Sequence, residues 1–253
     1  NISLHREIQE KCKVLNITPY VYYMACYSIL LSKLSGSEDI CVGMPASGRK
    51  SKYLNTIGMF ANTLAMRSAP TNDKTIYNFL LETKLNSLNA IHNQDYPLGE
   101  LIKKLGLNAI NGNPLFDVMF TYQSEKLTHI TFADKQAELL PVALAGVKCD
   151  FSFSVMPREN DVVLMADYCT DLFKEKTIKK YVRAYKSILT RALDSNVQIK
   201  DISVLTKEDE GFIKSSNATE HDYDIPTGST IYSLFEENAK KNAEKICIKA
   251  DGK

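Results

Sequence analysis

The residues of this chain whose types could do chemistry are few. The four histidines, His5, His92, His129 and His221, are scattered. None has a second histidine at a metal-binding offset, and none sits in a triad context. His92 lies at a helix end in AIHNQDYPLGEL, beside Asp95, where the helix dipole favours a capping or packing role. Gly43 and Ser47 lack the spacing of a G-x-S-x-G nucleophile elbow. Cys12, Cys26, Cys41, Cys149, Cys169 and Cys247 form no C-x-x-C and no tight pair, so they read as reduced, mostly buried thiols. The loop LNAINGN lacks the Gly-Lys-Ser/Thr end of a phosphate loop. No paired carboxylates, dinucleotide fingerprint or zinc signature rises above background.

One polar residue stands out. In IGMFANTLAMR, Ile57 to Arg67, a period of two puts Phe60, Asn62, Leu64 and Met66 on one face. An unpaired amide in that apolar row costs roughly 1–3 kcal/mol. Either neighbouring backbone satisfies Asn62, or the amide is held out for a ligand.

The elements that must position it form an α/β pattern. Leu4, Ile8, Cys12 and Leu15 predict a short amphipathic helix. Thr18 and Pro19 open a second, running to about Leu34 and apolar around most of its circumference, hence deeply buried. Its tyrosines, Tyr20, Tyr22, Tyr23 and Tyr27, read as packing. A buried strand at Asp39 to Pro45 and a turn at Ala46 to Arg49 lead into the Ile57 strand. Asn72-Asp73 cap a helix to about Asn93, Asp95 to Pro97 break it, and a short helix covers Leu98 to Leu105. Strands are expected at Pro114 to Gln123, Thr128–Phe132, Leu139–Leu144, Lys148–Met156 and Val162–Tyr168. Asp171 caps a helix from Lys174 to Leu193, and Val197 to Leu205 could form a short edge strand. The stretch Thr206 to Ser229 reads as a linker, before an amphipathic helix at Thr230 to Lys241 and half a strand at Ile246 to Lys249. A helix and half a strand bury no core alone, so this tail is the first piece of a further domain.

Composition bounds the classes. With 253 residues, 44% hydrophobic and 24% charged, the chain has material for a sizeable core, as one large domain or a domain with an appendage. A net charge of +1 gives no nucleic-acid footprint. No apolar run reaches membrane-spanning length and no signal pattern appears, so the expected location is cytoplasmic. The start at Asn1, inside a helical pattern and without an initiator Met, reads as a fragment.

Several stretches, in order and spacing, resemble the condensation domains of nonribosomal peptide synthetases. SGSEDICVGMPASGR resembles the family's S-G-x-x-D-I-x-V-G-x-P-x-x-G-R block, with Gly43, Pro45, Gly48 and Arg49 in place. IGMFANTLAMR resembles its I-G-x-F-x-N-T-L-x-x-R block through Gly58, Phe60, Asn62, Thr63, Leu64 and Arg67. HNQDYPLGELIKKLGL is similar to its H-Q-D-Y-P-F-E block, with His92, Asp95 and Pro97. NPLFDVMFTYQ is similar to its N-P-L-F-D-V-M-F segment, with Pro114, Phe116, Asp117 and Phe120. Leu98-Gly99 stands for the usual Phe-Glu, and Asn108 to Gly112 for the usual R-D-x-S-R. SSNATEHDYDIP and TIYSLFEENAKKNAEKICI resemble the start of a following adenylation domain.

The resemblance implies a chloramphenicol acetyltransferase-like α/β half, a mixed sheet covered by helices. It implies residues 1–205 as the C-terminal subdomain of a condensation domain, 206–229 as linker and 230–253 as a truncated adenylation start. Two such halves enclose a tunnel that receives 4′-phosphopantetheine arms from carrier domains, and the H-H-x-x-x-D-G block belongs to the N-terminal half. No such block occurs here, so the fragment supplies one tunnel wall and no catalytic residue, metal or covalently bound cofactor. The implied reaction is amide formation between carrier-bound aminoacyl or peptidyl thioesters. Its partners are the N-terminal half, the adenylation domain and peptidyl carrier domains, with no nucleic acid or membrane. Asn62, Thr63 and Phe60 are the implied tunnel residues; Arg49, Arg67, His92 and Asp95 are architectural. The competing reading is a non-catalytic scaffold or recruitment module.

Overall fold

The structure, a computed structural model, describes residues 2–108, 114–123, 130–132, 135–137, 146–147, 149–158, 161–221, 225–246, 248 and 250. Helix α1 (Ile2–Leu15) buries His5, Ile8 and Cys12. Helix α2 (Pro19–Ser35) starts at Thr18, whose hydroxyl accepts the Val21 N–H, and buries every residue from Val21 to Leu30. A helix apolar on all sides has no solvent face to offer, so the sheet and the other helices assemble around it.

The sheet has five strands: β1 (Ile40–Ala46), β2 (Asn62–Ser68), β3 (Val118–Tyr122), β6 (Phe151–Pro157) and β7 (Val162–Tyr168). Their order is β2-β1-β3-β6-β7. The three central strands run parallel, and each edge strand is antiparallel to its neighbour. A separate antiparallel pair joins β4 (Ile130–Phe132) and β5 (Lys135–Ala137). Helices α3 (Ile76–His92) and α5 (Glu175–Arg191) flank α2, and the short α4 (Leu98–Lys104) packs on β2.

One face of the sheet makes the core. Tyr27 of α2 lies 5.4 Å from Phe120, 5.3 Å from Phe153 and 6.2 Å from Tyr185, ring centre to ring centre. Tyr22 donates to the Leu189 carbonyl (2.9 Å) and Tyr185 to the Tyr23 carbonyl (2.8 Å), so α2 and α5 are bolted by hydrogen bonds inside apolar packing. Burial pushes the Cys12 thiol up to about 12 and the Cys26 thiol higher still, which keeps both inert. The opposite face carries Thr63, Ala65, Thr121, Ser152 and Ser154 with Met119 and Met165 between them, all half-buried.

Several elements differ from the sequence expectation. Residues Ile57 to Ala61 are not strand: β2 begins at Asn62, because β1 ends at Ala46 and offers no partner beyond the Ala46–Asn62 pair. Thr75, not Asn72-Asp73, caps α3, its hydroxyl accepting the Asn78 N–H at 3.2 Å. The chain just before the helix is drawn aside by bonds from Ile76 N to Val197 O and from Ile199 N to Lys74 O. Those bonds also replace the edge strand expected at Val197 to Leu205 with a single bridge, Thr75 to Gln198, and a tight turn at Ile199–Asp201. Lys174 precedes α5 without a side-chain cap, so Asp171 does not cap it. The strand expected at Leu139–Leu144 lies outside the described residues, as does part of the one at Ile246 to Lys249.

Contacts divide the chain into two compact units, Asn1–Glu208 and Asp209–Lys253. The expected linker is not continuous coil, since α6 (Lys207–Ser216) occupies its first part. Helix α7 (Ile231–Lys241) opens with a reciprocal cap, Thr230 N to Ser233 Oγ at 2.8 Å and Ser233 N to Thr230 Oγ1 at 3.1 Å. Its Ile231, Tyr232 and Phe235 are exposed.

Gly43 joins two of the sequence blocks. A Cβ there would overlap the buried Phe116 ring, so β1 and the segment entering β3 meet only over a bare backbone. Gly43→Ala is expected to cost about 1–3 kcal/mol in urea unfolding by overpacking. The double variant Gly43→Ala/Phe116→Leu should recover part of that loss if the ring is the obstacle.

Candidate functional site

The matched blocks converge where β1 and β2 end. After Ala46 the chain turns at Gly48, which has φ 59°, and a Cβ there would overlap the Phe60 carbonyl oxygen. Only glycine suits both the left-handed backbone and the approach. Arg49 follows. Its guanidinium donates to the carbonyls of Tyr53 (2.7 Å), Thr56 (2.5 Å) and Gly58 (3.2 Å) and lies 4.3 Å from the centre of the Phe60 ring. Tyr53 stacks on that ring at 5.5 Å. One planar fork therefore orders a loop with no ladder of its own. On that loop Leu54 is 67%, Ile57 102% and Met59 90% exposed, so an apolar tip is held out by a rigid base.

Asn62 heads β2 and settles the choice that its row left open. Nδ2 donates to the carbonyls of Gln94 (2.8 Å) and Tyr96 (3.1 Å), while Oδ1 accepts the Thr63 N–H at 2.9 Å. Both donors are engaged by backbone, so the amide is not held out for a ligand. The carbonyls belong to the turn between α3 and α4, whose Asp95 pairs with Lys50 at 2.6 Å. Pro97 precedes α4 as its N-cap residue, and His92 is the exposed last residue of α3. Between β2 and α4 lies a groove of about 540 Å³ lined by Thr63, Leu64, Tyr96, Leu98 and Leu101.

The structure thus brings Gly48, Arg49, Gly58, Phe60, Asn62, Thr63, Asp95 and Pro97 together. It sets the other block residues elsewhere. Arg67 pairs with Asp39 through two 2.8 Å bonds at the far end of β2. Pro45 is an exposed β1 residue opposite Thr63. Phe116 packs on Gly43, Phe120 is buried under α2, Pro114 is half-buried, and Asp117 is exposed, its carbonyl accepting the Asp150 N–H. Sequence reasoning missed Lys50 and Tyr53. Neither belongs to a period or block, and the partner of Lys50 lies 45 residues away.

Among the described residues no group of three metal-ligating side chains occurs. His5 is buried against Tyr23, at 2.9 Å, on the core side of the sheet. No helix among them is long and apolar enough to cross a membrane by itself. What the site offers is shape: an ordered loop, a groove and a half-buried sheet face with hydroxyl side chains.

Two outcomes follow. Arg49→Lys keeps the charge but loses the fork, so it is expected to destabilise by about 1–3 kcal/mol. Limited proteolysis within residues 50–60 should quicken correspondingly. The Asp39 carboxylate is held below the usual range by its hydrogen bond to Arg67. A depressed carboxylate contributes stability above its unfolded value, about 3.9, that is lost as pH falls through the folded value. In Asp39→Asn, unfolding followed below about pH 4 should lose part of its acid sensitivity. At pH 7 the change should be small, because the pair is solvent-screened.

A family model described as Condensation domain matches residues 2–213. Gramicidin S synthase 2 of Brevibacillus brevis is 38% identical over 241 residues, 93% of this chain and 5% of that protein. Surfactin synthase subunit 2 of Bacillus subtilis (strain 168) is 35% identical over 258 residues, 99% of this chain and 7% of that protein. The chain therefore spans under a tenth of the length of these relatives. A holo four-domain nonribosomal peptide synthetase bound to AMP and glycine superposes with TM-score 0.75 at 18% identity, over 83% of this chain and 17% of that one. The condensation domain of the monacolin K polyketide synthase MokA gives 0.68 at 21% identity, over 79% of this chain and 47% of that one. These likenesses carry the fold, and the mixed α/β, acetyltransferase-like sheet expected from the resemblance is the one found. With the family model matched from the first helix to α6, the chain belongs to the condensation domain family.

Proposed function

We propose that this chain is the C-terminal half of a condensation domain and forms one wall of the passage in which two carrier-bound thioesters are joined. The observation that carries the reading is the family match over residues 2–213 on a chain that covers only 47% of a separately solved condensation domain. In the reaction the amine of the acceptor aminoacyl thioester attacks the donor thioester carbonyl. The C–N bond forms, the C–S bond breaks, and the amine's proton ends on the departing thiol. An imidazole from the other half would hold or move that proton, a contribution worth about 10²–10⁴ in rate. This chain's part is orientation and exclusion of water.

The open face of the sheet suits that part. Thr63, Thr121, Ser152 and Ser154 present hydroxyls along a surface they share with the flexible side chains of Met119 and Met165, where a slender pantetheine arm with amides can lie. Phe60 and Thr63 stand at the head of β2, beside the ordered loop. The apolar tip at Leu54, Ile57 and Met59 fits a surface covered by the other half. Residues 1–205 form this wall, 206–229 link it onward, and 230–253 begin an adenylation domain whose remainder covers Ile231 and Phe235 of α7. The relatives are multidomain synthetases, which favours carrier and adenylation domains as neighbours.

Reconstitution tests it. The chain alone, mixed with two aminoacyl-loaded carrier domains, should give no amide above uncatalysed aminolysis. Co-expressed with the half encoded before it, it should form dipeptidyl thioester at least about 100-fold faster, read by mass spectrometry. Carrier binding without any amide would favour the scaffold reading instead.

A further inference from the structure

Helix α4 has little to hold it. It is seven residues long, buries no residue fully and has no side-chain cap at its N-terminus. Yet Leu98 and Leu101 form one side of the groove against Thr63 and Leu64 of β2. Its entry turn is fastened twice, by Asn62 to the Gln94 and Tyr96 carbonyls and by Lys50 to Asp95. The ionic fastening is solvent-exposed on both sides (58% and 65%), and such pairs hold weakly. The amide fastening is part-buried at the Gln94 carbonyl, exposed at that of Tyr96, and reaches both acceptors from one rigid group, so it dominates.

We propose that Asn62 is a positioning residue that fixes α4 and so sets the width of the groove beside β2, acting on bound substrate through the helix and not by touching it. The inference rests on the condensation reading. Loss of the fastening frees α4 to shift away from β2, because burial alone does not hold it. The groove then binds less well, while the reacting groups supplied by the other half are unmoved. Binding should suffer and chemistry should not.

Asn62→Asp is the discriminating variant. It keeps the size and the oxygen that accepts the Thr63 N–H, but it presents no donor to the two carbonyls and repels them. Asp95→Lys acts on the same turn from the solvent side, with negligible risk to folding. In the 253-residue chain, hydrogen exchange of amides 98–105 should quicken at least about tenfold in Asn62→Asp and about twofold in Asp95→Lys, while α2 amides stay unchanged. In the complete condensation domain, Asn62→Asp should raise KM for the loaded carrier about tenfold with kcat within twofold. Unchanged exchange in both variants overturns the proposal, and so does quickened exchange with unchanged KM. A fall in kcat alone overturns it too, since that places Asn62 in the chemistry. A wild-type domain that joins no thioesters overturns the condensation reading and the kinetic half of the inference, while exchange still reports whether Asn62 holds α4.

Discussion

Where the β1–β2 ladder runs out, two side chains gather five backbone carbonyls of the adjoining loop and turn. Arg49 takes those of Tyr53, Thr56 and Gly58, and Asn62 those of Gln94 and Tyr96. A polar backbone group without a partner is costly wherever water is kept away. The layout of the site follows from this. The loop after β1 is ordered because a single guanidinium gathers it, and α4 stands beside β2 because a single amide anchors its entry turn. Both residues are rigid planar groups, and a flexible ammonium or a hydroxyl could not span the same acceptors.

The glycines obey the same logic from the other side. At Gly48 the Phe60 carbonyl occupies the place of a side chain, and at Gly43 the Phe116 ring does. These contacts cross between blocks far apart in sequence, so each block's composition is set by another block. The blocks read as one device: the first provides bare backbone and a fork, the second the amide, the third the turn to be held, and the fourth the ring against the sheet.

Beneath the site, the core supplies rigidity. Helix α2, buried along its middle, sits in an aromatic nest in which the Tyr22 and Tyr185 hydroxyls reach backbone carbonyls across the α2–α5 interface. The helix face of the sheet is therefore fixed. The other face is half-buried, with hydroxyl side chains and two methionines along it. A fold built this way has a stiff back and a more open front.

The amino-acid pattern alone determined the α/β class, α2 as the buried centre, the helices about α3, α5 and α7, and the alternation of β2 from Asn62 onward. Those features come from periodicity and capping, which act over a few residues. It also carried the four blocks and hence the family. Tertiary structure decided the rest. Where β2 starts depends on where β1 stops, the cap of α3 on the distant segment Val197 to Ile199 that draws its entry aside. The partner of the Asn62 amide lies on a turn 32 and 34 residues away, and that of Lys50 lies 45 residues away. No local rule places such partners. They are chosen by how packed elements bring orphaned backbone and charge together, and that is settled only when the chain has folded.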